Sequence, residues 1–185
     1  MNYVLLAEQF FNGFQLGIIL FLMAAGLTLI FGIMDMVNLA HGTLYMFGGF
    51  FAATLALWTG SFVWGIVLAI PAMMIAGVVL DLIVLRTLYE RNHLDQVLAT
   101  FGLILFFDAA TQLIWGPEGI AISLPGFLDG RVSLGPGIEF PTYRLVIILV
   151  GLAVAAGLAY VVGATRIGML IRAGASNRRM LGALG

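Results

Sequence analysis

Residues 32–49 read G-I-M-D-M-V-N-L-A-H-G-T-L-Y-M-F-G-G, which sets Asp35, Asn38 and His41 between two apolar runs at 16–33 and 44–59. Helical spacing places positions 35, 38, 41 and 42 along one face, and Gly32 and Gly42 bracket them where a helix can loosen or break. Inside a membrane, polar side chains and freed backbone groups survive only against other protein or a wet cavity. This stretch is therefore the candidate functional centre. The same residues also fit a plainer reading, in which Asp35 caps a helix and Asn38 and His41 are hydrogen-bonded packing residues in a turn between two spans.

Composition decides between a membrane and an aqueous setting. Of 185 residues, 62% are hydrophobic and 9% charged, against roughly 25% charged in a soluble domain. The uninterrupted apolar runs reach the length of about 20 residues that a hydrocarbon core requires. No succession of alternating ten-residue segments suggests a barrel. The expected fold class is all-α: a polytopic helical membrane protein with about five transmembrane helices and a possible broken helix near residues 34–43. A net charge of −1 gives no case for nucleic acid, and all eight basic residues are Arg. Without cysteine there is no thiolate chemistry or Cys-based metal site. The amino terminus lacks a basic region and a small-residue cleavage site, so the first helix is expected to be retained.

Along the chain, residues 1–15 mix apolar groups with Glu8, Gln9, Asn12 and Gln15 and suit a short interfacial helix. The first span follows at 16–33, with Gly13 and Gly17 in small-xxx-small spacing. The second, 44–59, carries a stripe of Gly48, Gly49, Ala52, Ala53 and Ala56 that would let another backbone approach. The third, 62–80, has Pro71 at its middle, where a proline kinks a helix. The charges of 81–96 read as a solvated loop or helix extension. In the fourth span, 97–115, positions 100, 104, 108, 111/112 and 115 share a side, so Asp108 and Gln112 should face protein or a cavity. Segment 116–144, rich in Gly and Pro, is an external loop, and 145–164 is the fifth span. The 165–185 tail is amphipathic and basic.

Orientation follows from arginine. Segment 81–96 carries two and the tail four, whereas 116–144 carries Arg131 and Arg144 against three acids. By the positive-inside rule the first two are cytoplasmic and the last external. Counting back through five spans places the amino terminus outside.

The stretch 26–49, with N-L-A-H-G at its centre, the segment L-A-T-F-G-L-I-L-F at 98–106, and the tail T-R-I-G-M-L-I-R-A-G-A-S-N-R-R-M-L-G-A-L-G resemble the inner-membrane permease subunits of branched-chain amino acid ABC transporters, a family that also includes urea-type permeases. The resemblance covers essentially the whole chain as one permease domain, 1–185. It implies a multi-pass protein of the bacterial inner membrane that works with a second permease subunit, cytoplasmic ATP-binding subunits and a periplasmic substrate-binding protein. It also implies that 165–185 is the cytoplasmic coupling segment, with Arg172, Ala173, Gly174, Ala175, Asn177 and Arg178 at the ATPase contact. Members of the family are longer and continue with further spans, so the 185 residues correspond to an amino-terminal half.

The function expected from this resemblance is transport, with no cofactor or metal and no chemistry of the chain's own. Asn38, His41, Gly42, Asp108 and Gln112 are the candidate lining of the substrate path. An intramembrane enzyme pairing His41 with Asp35 or Asp108 would also need a nucleophile or three metal ligands, and neither H-x-x-x-H nor G-x-S-x-G occurs. A passive channel or structural subunit would need no coupling segment.

Overall fold

The computed structural model describes residues 3–34, 36–135 and 138–176. Five helices among them are long and apolar enough to cross a membrane. These are α1 (Tyr3–Met34), α2 (His41–Thr59), α3 (Phe62–Leu80), α5 (His93–Trp115) and α6 (Thr142–Ala164). Two short helices, α4 (Arg86–Leu88) and α7 (Arg166–Ser176), and an antiparallel hairpin of β1 (Arg131–Gly135) with β2 (Ile138–Pro141), complete the elements. The chain groups into two compact units, residues 34–123 and residues 1–33 with 124–185.

In the first of these units, α2 and α3 lie against each other because small residues face the contact. Ala53 and Ala56 of α2 are buried, and a Cβ built on Gly65 of α3 would lie 2.6 Å from the Cβ of Ala56 and 2.7 Å from its Cα. The stripe expected from sequence is thus met by a glycine at the closest point. After α3 the helix does not end: it widens into a π-helical turn, Asp81–Leu85, and runs on through α4. The Tyr89 hydroxyl donates to the Asp81 carboxylate across this stretch. The 81–96 segment is therefore largely helical, and α5 starts four residues earlier than the apolar run does. Asn92 supplies the cap, its Oδ1 accepting from the Asp95 amide at 2.9 Å. At the far end of α5 the Trp115 indole donates to Thr54 Oγ1 at 2.9 Å and packs among Phe47 and Phe50.

In the second unit α1 is one helix of 32 residues rather than an interfacial segment followed by a span. At 1.5 Å per residue it extends about 48 Å, well beyond a hydrocarbon core of about 30 Å. The helix runs unbroken from Tyr3 through the polar positions Glu8, Gln9, Asn12 and Gln15, and one of them has a distant partner: the Arg144 guanidinium donates to Asn12 Oδ1. Below that bond a small core forms from Ile18, Phe140 and Ile148, with Phe11, Leu22 and Leu145 packed against it. The hairpin joins α6 directly, its register pairing Val132 with Phe140 and Ser133 with Glu139. The Thr142 amide donates to the Gly130 carbonyl at 2.9 Å. A Cβ added at Gly13 or Gly17 would meet nothing within 4 Å, so this pair packs no helix within the described residues.

Candidate functional site

Between α1 and α2 the helical pattern stops, and residues 36–38 are neither helix nor strand. Backbone amides freed in this way need partners wherever water is excluded. Side chains of α5 supply two of them. The Val37 amide donates to Gln96 Oε1 at 3.2 Å, and the Leu39 amide donates to Thr100 Oγ1 at 3.3 Å. The Ala40 amide is taken locally by Asn38 Oδ1 at 3.1 Å, the short-range Asn bond that favours turns over helix. Asn38 and Gln96 are each 2% exposed and Thr100 is fully buried.

Gln96 is the hub. Its Nε2 donates to the carbonyls of Leu88 and Arg91, both at 3.2 Å, and its Oε1 also lies 3.3 Å from His93 Nδ1. Thr100 Oγ1 donates in turn to the Gln96 carbonyl at 2.8 Å. One carboxamide thus ties the break between α1 and α2 to the turn between α4 and α5. The side chains that bind the backbone in this tether are amides and a hydroxyl, which satisfy it without the desolvation penalty of a buried charge. Apolar packing fixes the same junction: Met36, 1% exposed, sits against Leu80 and Leu85, with Leu44, Val84, Leu88 and Leu103 around them. Among the described residues no buried side-chain nitrogen or oxygen lacks a partner.

Asn38, His41 and Gly42 come together at this junction, Asn38 inside the break and His41 and Gly42 opening α2. The helix N-cap position is held by Ala40 without a side-chain bond; Asp35 lies outside the described residues. Asp108 and Gln112 do not join them. Asp108 stands two turns beyond Thr100 on α5, about 12 Å along the axis. The two line a separate cleft of about 360 Å³ with Met46 and Phe50 of α2, Thr111, and the turn at 116–119 that brings Glu118. The shared side expected for α5 is split: Thr100 and Thr111 are buried, while Asp108 and Gln112 are exposed at the cleft.

Of the coupling candidates, Ala173, Gly174 and Ala175 fall on α7, where Gly174 is buried and its two neighbours are exposed. The Arg172 guanidinium is turned onto α6, donating to the carbonyls of Val162 and Gly163. Asn177 and Arg178 lie outside the described residues. Gln96 is not among the sequence candidates, because it stands at the edge of a charged segment. The sign that could have found it is its i, i+4 relation to Thr100, two polar groups on one face at the start of an apolar helix.

Five spans of low charge, with a break between two of them whose backbone is satisfied by buried amide and hydroxyl groups, define a polytopic helical membrane protein. The chain belongs to the family described as the permease component of branched-chain amino acid transport systems, whose model matches residues 9–185. It is 30% identical to the high-affinity branched-chain amino acid transport system permease protein BraD of Pseudomonas aeruginosa, over 96% of this chain and 62% of that protein. The permease protein LivH of Salmonella typhimurium is 29% identical, and that of Escherichia coli K12 28%, each over 96% of this chain and 61% of the relative. The chain thus spans about three fifths of the length of these relatives. No solved structure matches it. As a member of this family with five spanning helices, it is a multi-pass protein of the bacterial inner membrane.

Proposed function

We propose that the chain is the membrane-spanning part of an ABC importer for branched-chain or related hydrophobic amino acids. Separate cytoplasmic ATP-binding subunits power it, a second permease subunit stands beside it, and a periplasmic binding protein delivers the substrate. The observation that carries this reading is the family match from residue 9 to residue 185. The chain makes and breaks no covalent bond in this scheme. The break around Asn38, His41 and Gly42 forms one level of the substrate path, and the cleft at Asp108 and Gln112 another. A break held by hydrogen bonds to α5 supports the first, since it offers polar groups within an otherwise apolar segment. The apolar wall of Met46 and Phe50 beside Asp108 and Gln112 supports the second, because a hydrophobic amino acid presents both an apolar side chain and charged ends.

The arginine count places 81–96 and 165–185 in the cytoplasm and 116–144 outside, with the amino terminus outside as well. The Gln96 bonds to Val37 put the break at the same end of its unit as the 88–96 turn, so the break belongs to the cytoplasmic side. The test is uptake of radiolabelled leucine in cells stripped of their own branched-chain systems. The full-length permease is co-expressed there with its ATP-binding subunits and binding protein. Leucine should accumulate against its gradient, be displaced by isoleucine and valine, and require ATP hydrolysis. Equilibration without nucleotide would point to a passive channel and sink the importer reading, and uptake of urea but not leucine would reassign the substrate.

A further inference from the structure

The corner between α6 and α7 is more tightly made than a link between a span and a surface helix requires. Thr165 is the single residue between the two helices. Its Oγ1 accepts from the Gly168 amide at 3.1 Å and donates to the Val161 carbonyl at 2.6 Å, so one hydroxyl caps the start of α7 while holding the last turn of α6. Three residues on, Gly168 presses against that turn. A Cβ at Gly168 would run into the carbonyl oxygens of Val161 and Val162, and these are backbone atoms that cannot rotate aside. One turn further, the Arg172 guanidinium donates to the carbonyls of Val162 and Gly163. A helix end leaves such carbonyls without intrahelical partners, and their partial negative charge favours a cation. The end of α7 then meets α1, where a Cβ on Gly32 would lie 3.8 Å from the Cβ of Ala175.

We propose that Thr165, Gly168 and Arg172 form a rigid elbow: they are positioning residues that fix the direction of α7 against α6. A push on α7 is then delivered to α6 and to the end of α1 rather than absorbed at a hinge. Two helices joined through one residue can pivot about its dihedrals. Here two hydrogen bonds at Thr165, two more at Arg172 and a backbone contact at Gly168 between them remove that freedom. Thr165 alone is a common cap and Arg172 alone a common helix-end cation. Gly168 separates the elbow from both, because only a residue without a side chain permits the approach on which the Arg172 bonds depend. The mechanical consequence rests on the reading of 165–185 as the ATPase-coupling segment. The elbow also assigns Arg172 an internal partner, leaving the exposed Ala173 to meet a docking subunit.

The test uses Gly168→Ala and Arg172→Met in the full-length permease with its ATP-binding subunits. The 185 residues contain no cysteine, so a pair introduced at the exposed Tyr160 and Leu170 can report the α6–α7 distance by spin labelling. The parent should give one narrow distance, and both variants a broadened one. The ATP-binding subunits should still co-purify, while leucine uptake is lost with ATP hydrolysis continuing; Arg172→Lys should recover part of the uptake. Should Gly168→Ala fail to insert, Arg172→Met, which alters no backbone, decides the matter. An unchanged distance in Arg172→Met, or uptake fully coupled to hydrolysis in it, overturns the elbow. Loss of the ATP-binding subunits from both variants overturns force transmission, since the corner would then serve docking. If the parent itself retains no ATP-binding subunit, the coupling reading fails, whereas the label distances still decide the elbow.

Discussion

Replacing Gln96 by Leu keeps most of its volume and removes every bond that its amide makes, so the groups left behind fix the size of the effect. The Leu88 carbonyl also accepts from the Arg91 amide at 3.1 Å and keeps a partner. Arg91 is exposed, and its carbonyl can turn to water. The Val37 amide, next to the 1% exposed Met36, is the group that loses its partner outright. An orphaned buried donor costs about 1–3 kcal/mol; Val37 and its bond are half-buried, so the cost should lie at the low end, about 1 kcal/mol, and raise the local opening equilibrium of the break roughly 5-fold. Thr100→Val tests the second tether. Its bond to the Leu39 amide is longer, 3.3 Å, and Leu39 is itself 41% exposed, so the effect should sit near the average of about 0.6 kcal/mol for hydrogen bonds between membrane helices. Amide hydrogen exchange in detergent, read at residues 36–40 against the middle of α5, measures both. Gln96→Glu adds a discriminating case: it keeps an acceptor for Val37 but sets a carboxylate against the Leu88 and Arg91 carbonyls. Protection should then persist at Val37 and fall across 88–93. Parental exchange at Val37 in Gln96→Leu, or a larger effect from Thr100→Val than from Gln96→Leu, would refute the assignment of Gln96 as the hub.

Two further outcomes are expected. Single cysteines at Asn92 and Ser176 should be shielded from an impermeant thiol reagent in intact cells while one at Gly130 is labelled; labelling at Ser176 from outside would reverse the orientation. Gly65→Ala should destabilise the α2–α3 contact by about 1–3 kcal/mol, the usual cost of overpacking, because the new carbon meets the Ala56 backbone. Gly151→Ala should cost a similar amount, since its new carbon meets the Cγ2 methyl of buried Ile18, a β-branched side chain whose χ1 is held within α1. Denaturant titrations that show either alanine variant as stable as the parent would contradict the packing.

The spans were legible because each is decided by its own composition. Phe62–Leu80 and the carboxyl ends at Thr59, Trp115 and Ala164 coincide with the ends of apolar runs. Where a boundary depends on a cap, the apolar pattern misplaces it. α5 begins at His93 because Asn92 binds the Asp95 amide, although the apolar run starts only at Val97. Likewise α1 continues back to Tyr3 through Glu8, Gln9 and Asn12, polar residues with no dislike of helix. At 32–49 the plainer reading, a turn between two spans with Asn38 as a hydrogen-bonded packing residue, is the one the structure has; the helical face expected for positions 38, 41 and 42 does not form, because 36–40 leave the helix.

How that break is held was not legible, and the reason is distance along the chain. Val37 and Gln96 are 59 residues apart, and Leu39 and Thr100 are 61 apart. A local reading assigns Gln96 to the charged segment it adjoins, and only tertiary contact shows that its amide faces inward. The same holds for Arg172, ten residues from Val162: its charge reads as available to a partner until the carbonyls at the end of α6 are seen beside it. Both cases obey one rule. Wherever a helix stops its backbone groups need partners, which a nearby cap supplies at Asn92 and Thr165 and a side chain from farther along the chain supplies at Val37 and Val162. Break and elbow are places where the chain supplies that side chain from a neighbouring helix, and a movement of either helix must carry its partner or break the bond.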